Sequence, residues 1–186
     1  SDGTAMTLSS NLLWRHRFHK KGRTFSTNLT LNLNNDDSKG NLQALNRYFR
    51  TDGSVLRSDT IQQNNSQVSY SNSFGGTFSY TEPIGKRKYL EARYAFNRSI
   101  NDVNREVFDV RKDKPTFNDN LSNRFYTTFT YHRAGLSLRY NGQNTNFSTG
   151  LNLQHSELDG ELTLKGINVS RRFDYLLPNL HYTYNF

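Results

Sequence analysis

The chain has 186 residues, of which only 33% are hydrophobic, and a mean hydropathy of −0.85, yet 13% of it is aromatic, with 11 Tyr and 13 Phe. A soluble domain of this size usually carries close to half apolar residues, so a two-sided core is underfed here, while the aromatic content argues against disorder. Absence of cysteine excludes disulfide frameworks, thiolate metal sites and cysteine nucleophiles; 24 Lys and Arg against 16 Asp and Glu give a formal charge of +8, which leaves nucleic acid, an anionic membrane surface and plain solubility open.

No apolar run is long enough for a transmembrane helix. The opening "SDGTAMTLSS" has neither a leader pattern nor an initial Met, so a processed chain or an excised piece is expected. What organises the chain is a period of two. Met6, Leu8, Leu12, Trp14 and Phe18 oppose Ser9, Asn11, Arg15 and Arg17. After a short basic connection, His19–Arg23, Phe25, Leu29, Leu31 and Leu33 oppose Ser26, Asn28, Thr30 and Asn32. A long polar stretch, Asn35–Ser66, has room for a further hairpin within Gly40–Asn64. Val68, Tyr70, Phe74, Phe78 and Tyr80 then oppose Gln67, Ser69, Ser71, Ser73, Thr77 and Ser79.

A second short basic connection, Glu82–Lys88, leads to Leu90, Ala92, Tyr94, Phe96 and Ile100 against Glu91, Arg93, Asn97 and Ser99. The polar stretch Asn101–Leu121 follows. Next, Phe125, Phe129 and Tyr131 hold the odd parity, whereas Leu136, Leu138 and Tyr140 hold the even one. Either a bulge at His132–Gly135 shifts the register, which Gly135 favours, or the strand changes environment there. Asn141–Asn144 is a tight Asn-Gly turn. Phe147, Thr149, Leu151, Leu153 and His155 then oppose Ser148, Gly150, Asn152 and Gln154. After the polar stretch Glu157–Arg171, Leu180, Tyr182, Tyr184 and Phe186 oppose Asn179, His181, Thr183 and Asn185.

About seven strands with alternating short and long connections predict an all-β, antiparallel up-and-down meander. Aromatics flank the short turns at Phe18 and Phe25, Tyr80 and Tyr89, and Tyr140 and Phe147, like an interfacial girdle. A transmembrane β-barrel explains how each strand is half apolar while the whole chain stays hydrophilic: one face meets lipid and the other a hydrated lumen. Residues 1–186 then form one outer-membrane barrel segment. An odd strand count favours a fragment of a larger barrel, whereas the aromatic end "HYTYNF" fits a small complete structural or adhesive barrel. A soluble carbohydrate-binding β-sandwich is the alternative outside the membrane.

Chemistry is sparsely marked. His155, Glu157, Asp159 and Glu161 offer oxygen and imidazole ligands without a calcium-loop spacing, and a polar strand end explains them equally. His16 and His19 beside Trp14 and Arg15 lack a nearby carboxylate to orient them, and no nucleophile motif stands out, so no enzyme activity is expected. The basic turns lie at one end of the meander, where they would meet anionic head groups; nucleic-acid binding would explain their charge but not the girdle. No catalytic, cofactor-binding or metal residue is assigned, and the ligand-binding residues stay unknown.

The segment "LSNRFYTTFTYHRAGLSLRYNGQNTNFSTGLNLQHSELDGEL" resembles the barrel region of TonB-dependent-receptor-like outer-membrane proteins of Bacteroidota. The pattern is carried by His132–Leu136, Leu138–Gly142, Asn146–Ser148, Gly150, Leu151, Gln154, Ser156, Leu158, Gly160 and Glu161, and "NLLWRHRFHKKGRTFSTNLTLNLN" upstream is similar to the same family. The resemblance implies location in the cell outer membrane among outer-membrane lipids, a barrel completed by the rest of its chain, and transport of a bulky nutrient. It further implies a TonB-type energy-coupling system and a surface lipoprotein as partners, with Asn35–Ser66, Asn101–Leu121 and Glu157–Arg171 as the surface that meets the solute. No plug-like or energy-coupling sequence is visible in these residues.

Overall fold

Alternating side chains dictate strands, and strands they are in the computed structural model, which describes residues 2–111 and 114–185. The elements are β1 (Asp2–Arg17), β2 (Thr24–Phe49), β3 (Val55–Gly85), β4 (Lys88–Arg111), β5 (Lys114–Phe117), β6 (Asn123–Asn141), β7 (Thr145–Leu162), a 3-10 turn at Thr163–Lys165, and β8 (Ile167–Tyr184). They form one antiparallel sheet in the order β1-β2-β3-β4-β6-β7-β8, with the four-residue β5 folded back onto β4. Among the described residues no second sheet covers it, as a sandwich would require, and Val107 is the only buried hydrophobic side chain. Both faces and both edges of the sheet are therefore left for something other than this segment to satisfy.

Register sorts the residues into two faces. The cross-strand row His16, Phe25, Tyr80, Ala92, Leu136, Leu151 and Pro178 lies on one side. Because side chains alternate, Leu12, Leu29, Leu31, Phe74, Phe78, Leu90, Phe96, Leu138, Leu153, Leu176 and Leu180 share it. Many stay open to the surroundings, Leu136 at 59% and Leu180 at 71% exposed, as expected of a surface meant for lipid rather than water. From Tyr140 to His132, β6 rises about 26 Å along the strand, or about 20 Å along the membrane normal at a tilt of ~40°. That is close to the ~25 Å apolar band of a membrane barrel.

Three expectations need correction. First, the bulge at His132–Gly135 is absent: β6 pairs β4 and β7 without a shift, Phe96 opposite His132 and Arg93 opposite Gly135. The alternative holds, and the faces exchange character. Beyond His132, His155 and Asp174, the side that was apolar carries Thr130, Glu157 and Arg172 on β6, β7 and β8, while the other carries Tyr131, Phe129 and Phe173. An outward face has to be apolar only while it crosses lipid. Gly135 serves close approach instead, since the Asn152 side chain occupies the space a Cβ would need.

Second, the three long connections are mostly strand. Asn35–Ser66 continues β2 and β3 and turns only across Arg50–Ser54, so no extra hairpin is inserted within Gly40–Asn64. From Asn34 to Phe49 this arm runs on for about 50 Å along the strand, past the apolar band. Asn101–Leu121 continues β4, and Glu157–Arg171 continues β7 and β8 around the 3-10 turn. Strand lengths of 16 to 31 residues for the seven long strands thus exceed a single bilayer crossing. Third, Tyr89 does not join the aromatic girdle: it pairs with Arg139, whose guanidinium lies 5.3 Å from its ring, on the polar side. Phe186 lies outside the described residues, as do Lys112 and Asp113 of the second long connection.

Candidate functional site: the polar wall

The polar face is built from the residues between the apolar ones. Serine, threonine and asparagine dominate it on β2 and β3, and arginine enters on β4 and β6. Register brings Glu91 opposite Ser137, Arg93 opposite Gly135 and Ala95 opposite Arg133. These residues, with Tyr131, Arg139, Ser148, Asn152 and Asn179, line a concavity of about 370 Å³. Gly135 lies in its lining, where the Asn152 side chain takes the space of a Cβ, and Gly150 beside it leaves room for Ser137 and Asn179 to approach.

Its electrostatics are basic. Arg139 lies 3.8 Å from Glu91, the one carboxylate in the lining. Arg133 donates to Gln154 Oε1 through both Nε, at 2.8 Å, and Nη2, and its guanidinium sits 5.7 Å from the Tyr131 ring. Arg93 has no carboxylate partner among the described residues. The Asn152 amide nitrogen donates to Asn179 Oδ1 and to the Leu177 carbonyl, both at 3.3 Å, and Gln154 Nε2 donates to Ser156 Oγ at 2.9 Å. Two guanidinium groups in excess over carboxylate, with amide and hydroxyl groups around them, suit transient contact with polar or anionic groups. A hollow of about 530 Å³ on the opposite face, between Phe25, Phe78, Tyr94, Leu136 and Leu153, is apolar and faces the lipid side.

His155 bonds Asp174 Oδ1 through Nδ1 at 2.6 Å and approaches Glu157 Oε1 at 3.4 Å, and Arg172 takes the same Glu157 oxygen at 3.1 Å. Asp159 and Glu161 lie farther along β7, opposite Ser170 and Asn168. Among the described residues no three His, Asp or Glu side chains form a group able to hold a metal ion. His16 stacks on Trp14 at 5.8 Å and meets Phe18 edge-on at 4.6 Å, making it part of the aromatic border; His19 lies in the turn.

One residue that the sequence did not single out ties the short-turn end together. Glu82 accepts from Lys20 Nζ at 2.6 Å, Arg23 Nε at 2.7 Å, Arg23 Nη2 at 2.9 Å and Tyr80 OH at 2.8 Å. Arg23 first, then Lys20 and Tyr80, hold its carboxyl well below the usual carboxylate range. A depressed folded-state pKa stabilises above the unfolded value of about 4.3 and is lost only as pH falls through the folded value. The turn is therefore expected to stay anchored at pH 4. Pepsin cleavage at Phe18 should be slow there in the wild type and roughly several-fold faster in Glu82→Gln; equal rates would remove Glu82 from this role.

Residues 16–186 match the family model described as the outer membrane protein beta-barrel family. Among solved structures, the crystal structure of the ferric citrate transporter FecA in its unliganded form is similar, with a TM-score of 0.62 at 10% identity. The match covers 98% of this chain and 25% of that one, so this chain spans about a quarter of its length, and the likeness is one of fold. No curated protein matches the chain.

Proposed function

Because the chain belongs to the outer membrane protein β-barrel family, we propose that it forms part of the wall of a larger barrel through which a solute is taken up. Its place is the outer membrane. The observation that carries the reading is the two-sided wall: a face that is apolar from Leu138 to Ala134 and across the neighbouring strands, opposite a face lined by Arg93, Arg133, Arg139 and polar amides. Strand direction supports a larger barrel. With seven long strands in an up-and-down meander, β1 and β8 point the same way, so antiparallel closure needs further strands.

In this reading the whole protein resembles the TonB-dependent-receptor-like proteins of Bacteroidota, and the ferric citrate transporter is a solved structure with a similar wall. Energy for uptake comes from a TonB-type system, and a surface lipoprotein is a candidate partner at the projecting β2–β3 arm. No catalytic step enters the proposal. The solute meets the tall arms first and the arginine-lined concavity next.

The test is uptake by the intact protein, restored to cells that lack it, of a solute whose entry depends on it. Loss of one charged hydrogen-bonding group costs about 1.5–3 kcal/mol. Arg133→Ala and Arg93→Ala are thus each expected to reduce uptake roughly tenfold at unchanged surface level. Unaltered uptake in both variants, together with unaltered binding after replacement of residues 36–64 by a short turn, would refute the proposal.

A further inference from the structure

The three turns at the short end of the sheet differ sharply in charge. Asn141–Asn144, between β6 and β7, carries none, whereas the β1–β2 and β3–β4 turns place Lys20, Lys21, Arg23, Lys86, Arg87 and Lys88 around the single carboxylate of Glu82. Folding makes one platform of these two turns. Glu82 draws Lys20 and Arg23 against β3. Gly22, at φ +90°, sits so close to the base of the next hairpin that a Cβ there would lie 3.1 Å from the Tyr89 ring and 3.5 Å from Pro83. Lys21, Lys86, Arg87 and Lys88 remain exposed and have no carboxylate partner among the described residues.

The platform borders the apolar face. Lys88 is opposite Tyr140 on that side, and the edge-on pairs Trp14 with Phe25 at 5.9 Å and Phe18 with Tyr80 at 6.3 Å close the aromatic border beside it. In outer-membrane barrels the short turns are periplasmic, so these cations stand at the head-group level of the periplasmic leaflet. Aromatic rings anchor at that depth, and a cation there gains about 1 kcal/mol from an anionic surface. A nucleic acid would find the same charge, but the neighbouring rings belong to the lipid-facing side and offer no stacking surface in water.

We propose that the paired basic turns form a binding site for the phosphate head group of an anionic phospholipid in the periplasmic leaflet. The site rests on the outer-membrane location and not on solute uptake, so either can fail without the other. The experiment is native mass spectrometry of the intact protein in mild detergent, supplied with equal phosphatidylglycerol and phosphatidylethanolamine. Phosphatidylglycerol is expected to dominate the bound lipid, and its preference to fall about fivefold for each lysine removed in the series Lys21→Gln, Lys86→Gln and Lys88→Gln. Lys39→Gln and Lys165→Gln, at the opposite end, should leave it unchanged.

If the triple variant does not insert, salt decides with the wild type: the preference should collapse between about 0.15 M and 1 M ionic strength. Absence of a preference in the wild type, its survival in the triple variant or at high salt, or equal displacement of the lipid by inorganic phosphate would each overturn the proposal.

Discussion

Replacing Leu136 with Arg is expected to destabilise the membrane-inserted barrel by about 2–4 kcal/mol, whereas Arg in place of the next residue, Ser137, should cost less than about 1 kcal/mol. The two positions are adjacent in sequence and opposite in environment. Leu136 pairs with Ala92 and Leu151 on the apolar face, midway between Tyr140 and His132, and is 59% exposed. A guanidinium there stands at the centre of the hydrocarbon with no partner in reach. Ser137 is opposite Glu91 and Gly150 on the polar wall, where an arginine finds a carboxylate and water. Urea unfolding of the intact protein from lipid vesicles measures both. Equal costs, or a larger one at Ser137, would invert the face assignment on which the proposed function depends.

Gly150→Val is expected to lower stability by about 1–3 kcal/mol, although valine is the better strand former. A Cβ at Gly150 would come within 2.6 Å of Ser137 Cβ, 2.7 Å of the Leu136 carbonyl oxygen and 3.0 Å of Asn179 Oδ1. Two of these neighbours are side-chain atoms, but the carbonyl belongs to β6 itself, so relief requires moving one strand against the next. Gly40→Val is the matched control, because nothing lies within 4 Å of its Cβ position, and it should stay within about 0.5 kcal/mol of the wild type. The same unfolding experiment distinguishes them. A neutral Gly150→Val would mean that the wall is looser here than its register indicates.

The sorting of side chains on each strand was legible residue by residue. Phe25 to Leu33, Phe74 to Tyr80, Leu90 to Phe96 and Leu136 to Tyr140 all lie on the face their parity predicts. So were the short turns, since Asn-Gly and the glycine-bearing basic segments mark them locally. The true strand lengths were not legible. In Asn35–Ser66 both faces are wet, so the polar arm carries no sustained alternation to betray it as strand. At His132–Gly135, a parity change has two readings that the sequence cannot separate, and Gly135 speaks for either: glycine permits a bulge, and it also permits the close approach of Asn152.

By itself, then, the sequence determined the two-faced character of the wall, the order of its strands and which end carries the tight basic turns, because a period of two and turn chemistry are properties of neighbouring residues. Only the tertiary structure decided what depends on residues far apart in the chain: the register that gathers Arg93, Arg133 and Arg139 into one concavity, and the clasp of Lys20 and Arg23 on Glu82. Strand alignment sets those meetings, and no local pattern encodes which rung of one strand faces which rung of the next.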